Sequence, residues 1–270
     1  MPRRLLCVLL LLLATGTAAD PFITVASTTS TENSGLFQAI LPLFEQATGI
    51  AVRVVAVGTG QAIRMAERGD ADVLFVHHRP SEEQFVAAGF GVERHDVMHN
   101  DFVLVGPRSD PAGVSDASDA VGALARVAAQ GAVFVSRGDD SGTHKRELGL
   151  WQAAGIDVTA ASGRWYRESG AGMGTTLNIA SGMGAYTLAD RGTWLNFNNK
   201  GDLVVLMAGD RRLFNPYGVI LVHPQRHPHV KAVAGQAFID WLLSAAGQGA
   251  IAAYRIDGQP VFFPDAGGAP

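Results

Sequence analysis

The sequence predicts an α/β protein built as two lobes. Apolar strands and amphipathic helices alternate along the chain, and 47% of its 270 residues are hydrophobic, enough for a sizeable core. Residues 107–119 shift abruptly to Pro, Ser, Asp and Gly, as a crossing between lobes would. A chain of about 250 residues, after loss of an N-terminal leader, suits one large domain or two lobes of ordinary size.

The leader comes first. Arg3 and Arg4 precede an apolar run from Leu5 to Leu13 and small residues ending Thr17-Ala18-Ala19, the pattern of an export signal cleaved near Ala19-Asp20. The run is too short to span a bilayer, which takes roughly 18 or more apolar residues. The only cysteine, Cys7, lies inside this leader, so disulfides, thiol catalysis and thiolate metal sites are not expected of the mature chain. Loss of Arg3 and Arg4 takes the formal charge from -4 to -6, so no whole-molecule field would draw in an anion or a nucleic acid. Any anion site must be local.

A strand over 22–25 leads into the hydroxyl run Ser27-Thr28-Thr29-Ser30. Leu36, Phe37, Ile40, Leu43, Phe44 and Ala47 then recur at helical spacing up to Gly49, with Pro42 predicted to kink that helix or end its first segment. A strand over 50–57, a helix opened by Gly58-Thr59-Gly60, a strand over 72–76, a helix over 81–88 and a buried strand over 102–105 follow. Beyond the crossing come a helix over 121–129, a strand over 132–135, the loop 136–142 and a helix to about Ala154. A short strand at 164–167, the turn Gly170 to Gly174, a helix from Thr175 and a strand over 203–207 complete this part. The strand 217–222 and the helices 230–243 and 248–254 would rejoin the first lobe. No repeat of 20 to 50 residues suggests an array.

Three turns share one design: Ser27 to Ser30, Gly58 to Gly60, and Arg137-Gly138-Asp139-Asp140-Ser141-Gly142-Thr143 each follow a strand and open a helix. The first N–H groups of a helix lack intrahelical partners and favour negative charge, hydroxyls add donors, and glycine admits a ligand close to the backbone. Each of Ser27, Ser30, Thr59 and Ser141 could equally be an ordinary helix cap. Arg137 adds a full charge and a rigid fork of donors suited to oxyanions, its alternative role being a salt bridge to Asp139 or Asp140. The Gly170-Ala171-Gly172-Met173-Gly174 turn lacks the final Gly-x-x-Gly spacing of a dinucleotide fingerprint and reads as a further anion turn or a tight bend.

Other chemistry finds little support. Ser141 with His144 three residues on could suggest a hydrolase nucleophile, but no buried carboxylate orients the histidine. His77-His78, His95, His99, His223, His227 and His229 have no cysteine or tight carboxylate cluster to complete a zinc site. No basic stripe interleaved with aromatics suggests nucleic acid, and no lysine-rich helix face suggests a membrane surface.

Val25 to Ser30, Val57-Gly58-Thr59-Gly60-Gln61-Ala62, Asp70-Ala71-Asp72-Val73, Ser136 to His144 and Gly172-Met173-Gly174, in that order, resemble the tungstate-binding proteins of tungstate-specific ABC importers. The resemblance implies the two-lobed type II periplasmic binding protein fold, each lobe a mixed β-sheet flanked by helices, with two hinge crossings. On this chain it implies a signal peptide over 1–19, one lobe from 20–106 with 217–270, a second over 107–216, and crossings near 105–108 and 215–217. It implies that Thr28, Thr29, Ser30, Arg137 and Thr143 contact the oxyanion, with Thr59 and Ser141 as additions and Gly58, Asp139, Gly142, Gly172 and Met173 behind them or offering backbone. Ser27 stands where a third threonine is commoner, a change that keeps the hydroxyl.

The implied ligand is tungstate or molybdate, with no cofactor, no protein-ligated cation and no catalysis. The implied partner is an inner-membrane ABC permease, and the protein itself would be a periplasmic monomer. Both ions are unprotonated dianions near neutral pH and need donors only, whereas phosphate keeps a proton and favours a site with an acceptor. Asp139 could be that acceptor, or it could cap the helix and orient Arg137. A phosphate-binding protein is therefore the alternative within the class, and a secreted serine hydrolase using Ser141 the alternative outside it.

Overall fold

A computed structural model describes residues 21–267. The expected signal segment, Cys7 and the cleavage point near Ala19-Asp20 lie outside the described residues. The first stretch of chain runs β1 (Phe22–Thr28), α1 (Thr29–Asn33), α2 (Leu36–Thr48), β2 (Ala51–Val57), α3 (Thr59–Glu67), β3 (Val73–Val76), α4 (Arg79–Ala87) and the long β4 (Gly91–Pro107). Then come α5 (Ala120–Gln130), β5 (Phe134–Ser136), α6 (Gly142–Ala153), β6 (Tyr166–Glu168), α7 (Met173–Met183), β7 (Thr187–Asp190), α8 (Arg191–Asn196) and β8 (Leu203–Met207). The chain returns through β9 (Phe214–Val222), α9 (Ala232–Leu243), α10 (Ala245–Ala253) and the short strands β10 (Arg255–Ile256), β11 (Gln259–Pro260) and β12 (Phe263–Pro264).

The main sheet has the order β12-β4-β9-β3-β1-β2, with β1 parallel to β2 and β3, and β9 antiparallel to β3 and β4. Strand β4 changes partners within its length. Up to Asp101, opposite Phe214, it pairs with β9. From Phe102, opposite Asp190, it pairs with β7, and further on with β8.

Two sets of apolar clusters follow that change. Around the β9 side, Val25, Val73, Phe75, Val219 and Leu221 pack on one face of the sheet with Leu36, Phe44 and Phe238, while Ala26, Leu74, Val76, Ile220 and Val222 pack on the other with Ala62 and Phe85. Beyond the change, Phe102 and Leu104 face Leu124, Trp151 and Tyr166, while Val103 and Val105 face Met173, Leu177 and Trp194. Successive side chains of a strand point to opposite faces, so strands buried on both faces read as continuous apolar runs. That is why these segments were visible in the sequence.

Three features differ from expectation. Strand β4 begins at Gly91 rather than 102, because Arg94, His95, Asp96, His99, Asn100 and Asp101 form a polar stretch with no strand signature. Helix α2 runs unbroken through Pro42. Pro42 and Gln38, whose carbonyl loses its i+4 donor there, are both exposed, so water can satisfy that carbonyl. The short β7 and α8 had no counterpart in the sequence reading. Among the described residues no helix is long and apolar enough to cross a membrane.

Candidate anion site

The hydroxyl run divides its work. Ser27, still in β1, donates from Oγ to the Phe75 carbonyl at 2.7 Å and so ties β1 to β3. Thr28 caps α1, its Oγ1 accepting the Thr31 N–H at 3.2 Å. Thr29 and Ser30 enter the first turn of α1 with hydroxyls that face across to the loop after β5. At the second turn Gly58 precedes α3, and the buried Thr59 accepts the Gly142 N–H on Oγ1 at 2.8 Å. At the third, Ser141 caps α6 by accepting the His144 N–H at 3.1 Å. The N-termini of α3 and α6 are thereby joined through one hydrogen bond.

Two of these places favour glycine. Gly138 has φ +59°, and a Cβ there would lie 2.8 Å from that of Glu168. A Cβ on Gly142 would lie within 3.1 to 3.3 Å of the His77 ring and the Thr59 hydroxyl, so any larger residue would push those side chains back. Gly172, the cap position of α7, lies beside Thr29 Oγ1, and Met173 is buried behind it.

Arg137 links the two sides. It is only 2% exposed, donates from Nη1 to Ser30 Oγ at 2.9 Å and from Nη2 to Thr29 Oγ1 at 3.3 Å, and forms an ion pair with Asp139. Its Nε has no hydrogen-bond partner, nor has the Oγ1 of the fully buried Thr143 in the first turn of α6. A buried polar group left unmatched costs about 1–3 kcal/mol, so two orphan donors close to helix N-termini mark a place suited to an acceptor-rich molecule. Asp139 has both oxygens engaged: Oδ2 with Arg137, and Oδ1 with the Ser141 N–H at 3.2 Å. It orients the arginine and fastens the loop.

The hydrolase alternative loses its geometry here. Ser141 Oγ serves the α6 cap, and His144 accepts the Asp140 N–H on Nδ1 at 3.2 Å, so neither is placed as nucleophile or base for the other. The last histidines hold backbone carbonyls, His227 that of Glu67 and His229 that of Gly69. Among the described residues no three His, Cys, Asp or Glu groups are arranged to hold a metal ion.

Several neighbours were not anticipated. His77, at the end of β3, is buried, stacks on Tyr217 with centroids 4.8 Å apart, and bonds through Nδ1 to Asn215 Oδ1 at 3.0 Å. Burial lowers its pKa to about 4 despite that bond, so it is neutral near pH 7. Asn215 also donates to Asn100 Oδ1 at 2.7 Å, tying β9 to β4 next to the partner change. Thr193 of α8 donates to the Ser30 carbonyl at 3.2 Å, and Asp190 caps that helix. The Asp190-x-x-Thr193 spacing was a readable capping signal, but nothing local pointed to its partner on α1.

A PBP superfamily domain model matches residues 14–246. The tungstate-binding protein TupA of Peptoclostridium acidaminophilum is 48% identical over 93% of this chain and 88% of its own. Among solved structures, the tungstate ABC transporter protein of Geobacter sulfurreducens is 49% identical with a TM-score of 0.80, covering 88% of this chain and all of that one. The tungstate-binding protein TupA of Desulfovibrio alaskensis G20 is 43% identical with a TM-score of 0.78, over 91% and 99%.

Proposed function

The chain belongs to the tungstate-binding protein family of the PBP superfamily, and on that premise we propose that it captures tungstate, and molybdate with it, for an ABC importer. The relatives are binding proteins of transporters, not enzymes. In this reading Thr28, Thr29, Ser30 and Thr59 face the anion from one lobe, residues 20–106 with 217–270, and Arg137, Ser141 and Thr143 from the other, residues 107–216. The change of strand partner between Asp101 and Phe102 supports a crossing slightly upstream of those boundaries. Gly58, Gly142, Gly172 and Met173 shape the wall.

The observation that carries the choice of ligand is the double engagement of Asp139. With its carboxylate turned to Arg137 and Ser141, Asp139 offers the anion no free acceptor, which fits a dianion without a proton better than hydrogen phosphate. Because each lobe supplies part of the shell, the anion stabilises the arrangement in which both touch it, and the permease would recognise that arrangement. The protein would work as a monomer in the periplasm after removal of its signal peptide. Calorimetric titration with four oxyanions tests the reading: tungstate and molybdate should release heat, and phosphate and sulfate none. Binding of phosphate alone would refute it.

A further inference from the structure

Asp190 is a buried carboxyl for which the site as described has no use. It ends β7 opposite Phe102, one residue past the point where β4 leaves β9. Its Oδ1 accepts the Thr193 N–H at 2.8 Å, and Thr193 in turn holds the Ser30 carbonyl, so the corner that carries Asp190 also fixes the hydroxyls facing Arg137. The side chain is fully buried and its Oδ2 has no hydrogen-bond partner.

The charged and titratable groups around it leave that oxygen uncompensated. Arg137, from the loop after β5, is already paired with Asp139. Arg191, on its own helix, is held by Asp101 of β4 at 2.5 and 2.6 Å. Tyr217 of β9 has a phenol pushed well above its usual range by burial and by the charge of Asp190. His77 of β3 is neutral above about pH 4, and Glu32 of α1 accepts from Gln38 at 3.0 Å. Burial raises the Asp190 pKa, with the Thr193 N–H and Arg137 pulling the other way.

A dianion brought beside a buried carboxylate disfavours its charged form. Building on the oxyanion reading above, we propose that Asp190 takes up a proton as the anion is captured, so that the ligand meets a neutral acid instead of a like charge. The proton comes from solvent and adds to Oδ2, which then becomes a donor, while Oδ1 keeps the Thr193 N–H. Proton uptake makes affinity rise as pH falls between the Asp190 pKa values of the free and loaded protein.

The test is titration of the purified protein with sodium tungstate in buffers of different ionisation enthalpy, from about pH 6 to about pH 8. Uptake approaching about one proton per tungstate is expected, with affinity strengthening by up to about tenfold per pH unit toward the acid side. Asp190→Asn, which can still cap α8, should bind without uptake and with pH-independent affinity, whereas His77→Gln should keep the uptake. Wild-type binding with no buffer dependence, or uptake that survives in Asp190→Asn, overturns the proposal. Absence of heat with every oxyanion would overturn the function itself, a result distinct from binding without protons.

Discussion

Two arginines with largely buried side chains, Arg94 and Arg137, have opposite surroundings. Arg94, on the β9-paired part of β4, is enclosed by carboxylates: Glu82 at 2.6 Å, Asp96 at 2.6 Å, with Arg79 beyond at 3.6 Å from Asp96. Arg137 has one carboxylate and two hydroxyls, and those hydroxyls belong to a segment more than a hundred residues earlier in the chain. Each leaves one nitrogen without a partner, Nη2 in Arg94 and Nε in Arg137, so an orphan atom alone does not mark a binding site. What distinguishes them is the remaining shell. Carboxylates around Arg94 repel an anion, while hydroxyls and helix N-termini around Arg137 attract one.

The largest effects should separate the two. Removing one partner of a buried ion pair costs about 3–5 kcal/mol, so Arg94→Met should lower unfolding free energy by that amount in denaturant melts and leave tungstate affinity within about twofold. Arg137→Ala should instead weaken tungstate binding by at least about a hundredfold in calorimetry, because Asp139 then faces the anion unopposed. Comparable loss of affinity in both variants would dissolve the distinction.

Glu147 extends the comparison to a buried carboxylate with no cation beside it. It accepts from the Tyr166 hydroxyl at 2.7 Å and the Trp151 N–H at 3.1 Å, and burial pushes its pKa from 4.5 up to about 7 against those bonds. The folded state then binds a proton more tightly than the unfolded one. Stability from this group is complete below about pH 4.5 and falls as pH rises toward about 7, by up to about 3 kcal/mol. Melts of wild type and Glu147→Gln should diverge over that window, the variant losing less; parallel curves would deny the effect.

Smaller effects sharpen the account of single atoms. Thr143→Val removes an orphan hydroxyl, so it should leave the free protein as stable or more so, yet weaken tungstate binding by about 10- to 150-fold, the worth of one hydrogen bond to a charged ligand. A variant that binds as tightly as wild type would take Thr143 out of the site. Ser141→Ala should cost about 1 kcal/mol of stability through loss of the α6 cap, measured as a shift in the denaturant midpoint.

Legibility in the sequence followed the range of the physics. Strands buried on both faces, such as Val73 to Val76, and helices opened by a glycine or a capping serine, such as α3 and α6, carry local signals and were readable. The polar half of β4 was not, because Arg94, Asp96 and Asn100 become strand residues through pairing with β9. The same holds at the site. The turns bearing Thr29, Ser30 and Arg137 could be picked out from hydroxyl and glycine spacing, and the structure brings those three side chains together. His77 and Asn215 were missed as partners, since they meet across distant strands, and the local cap by Asp190 gave no sign that Thr193 reaches Ser30. The open question over Asp139 also needed coordinates, since only they could say where its two oxygens go.

The central claim is that one oxyanion is held between Arg137 and the hydroxyls opposite it. A crystal structure of the protein soaked or co-crystallised with tungstate tests this directly, since tungsten is located by its anomalous scattering. One tungsten peak is expected, with its oxygens within hydrogen-bonding reach of Arg137, Ser30 and Thr143. A peak elsewhere, with Arg137 still bonded only to Ser30, Thr29 and Asp139, would contradict it.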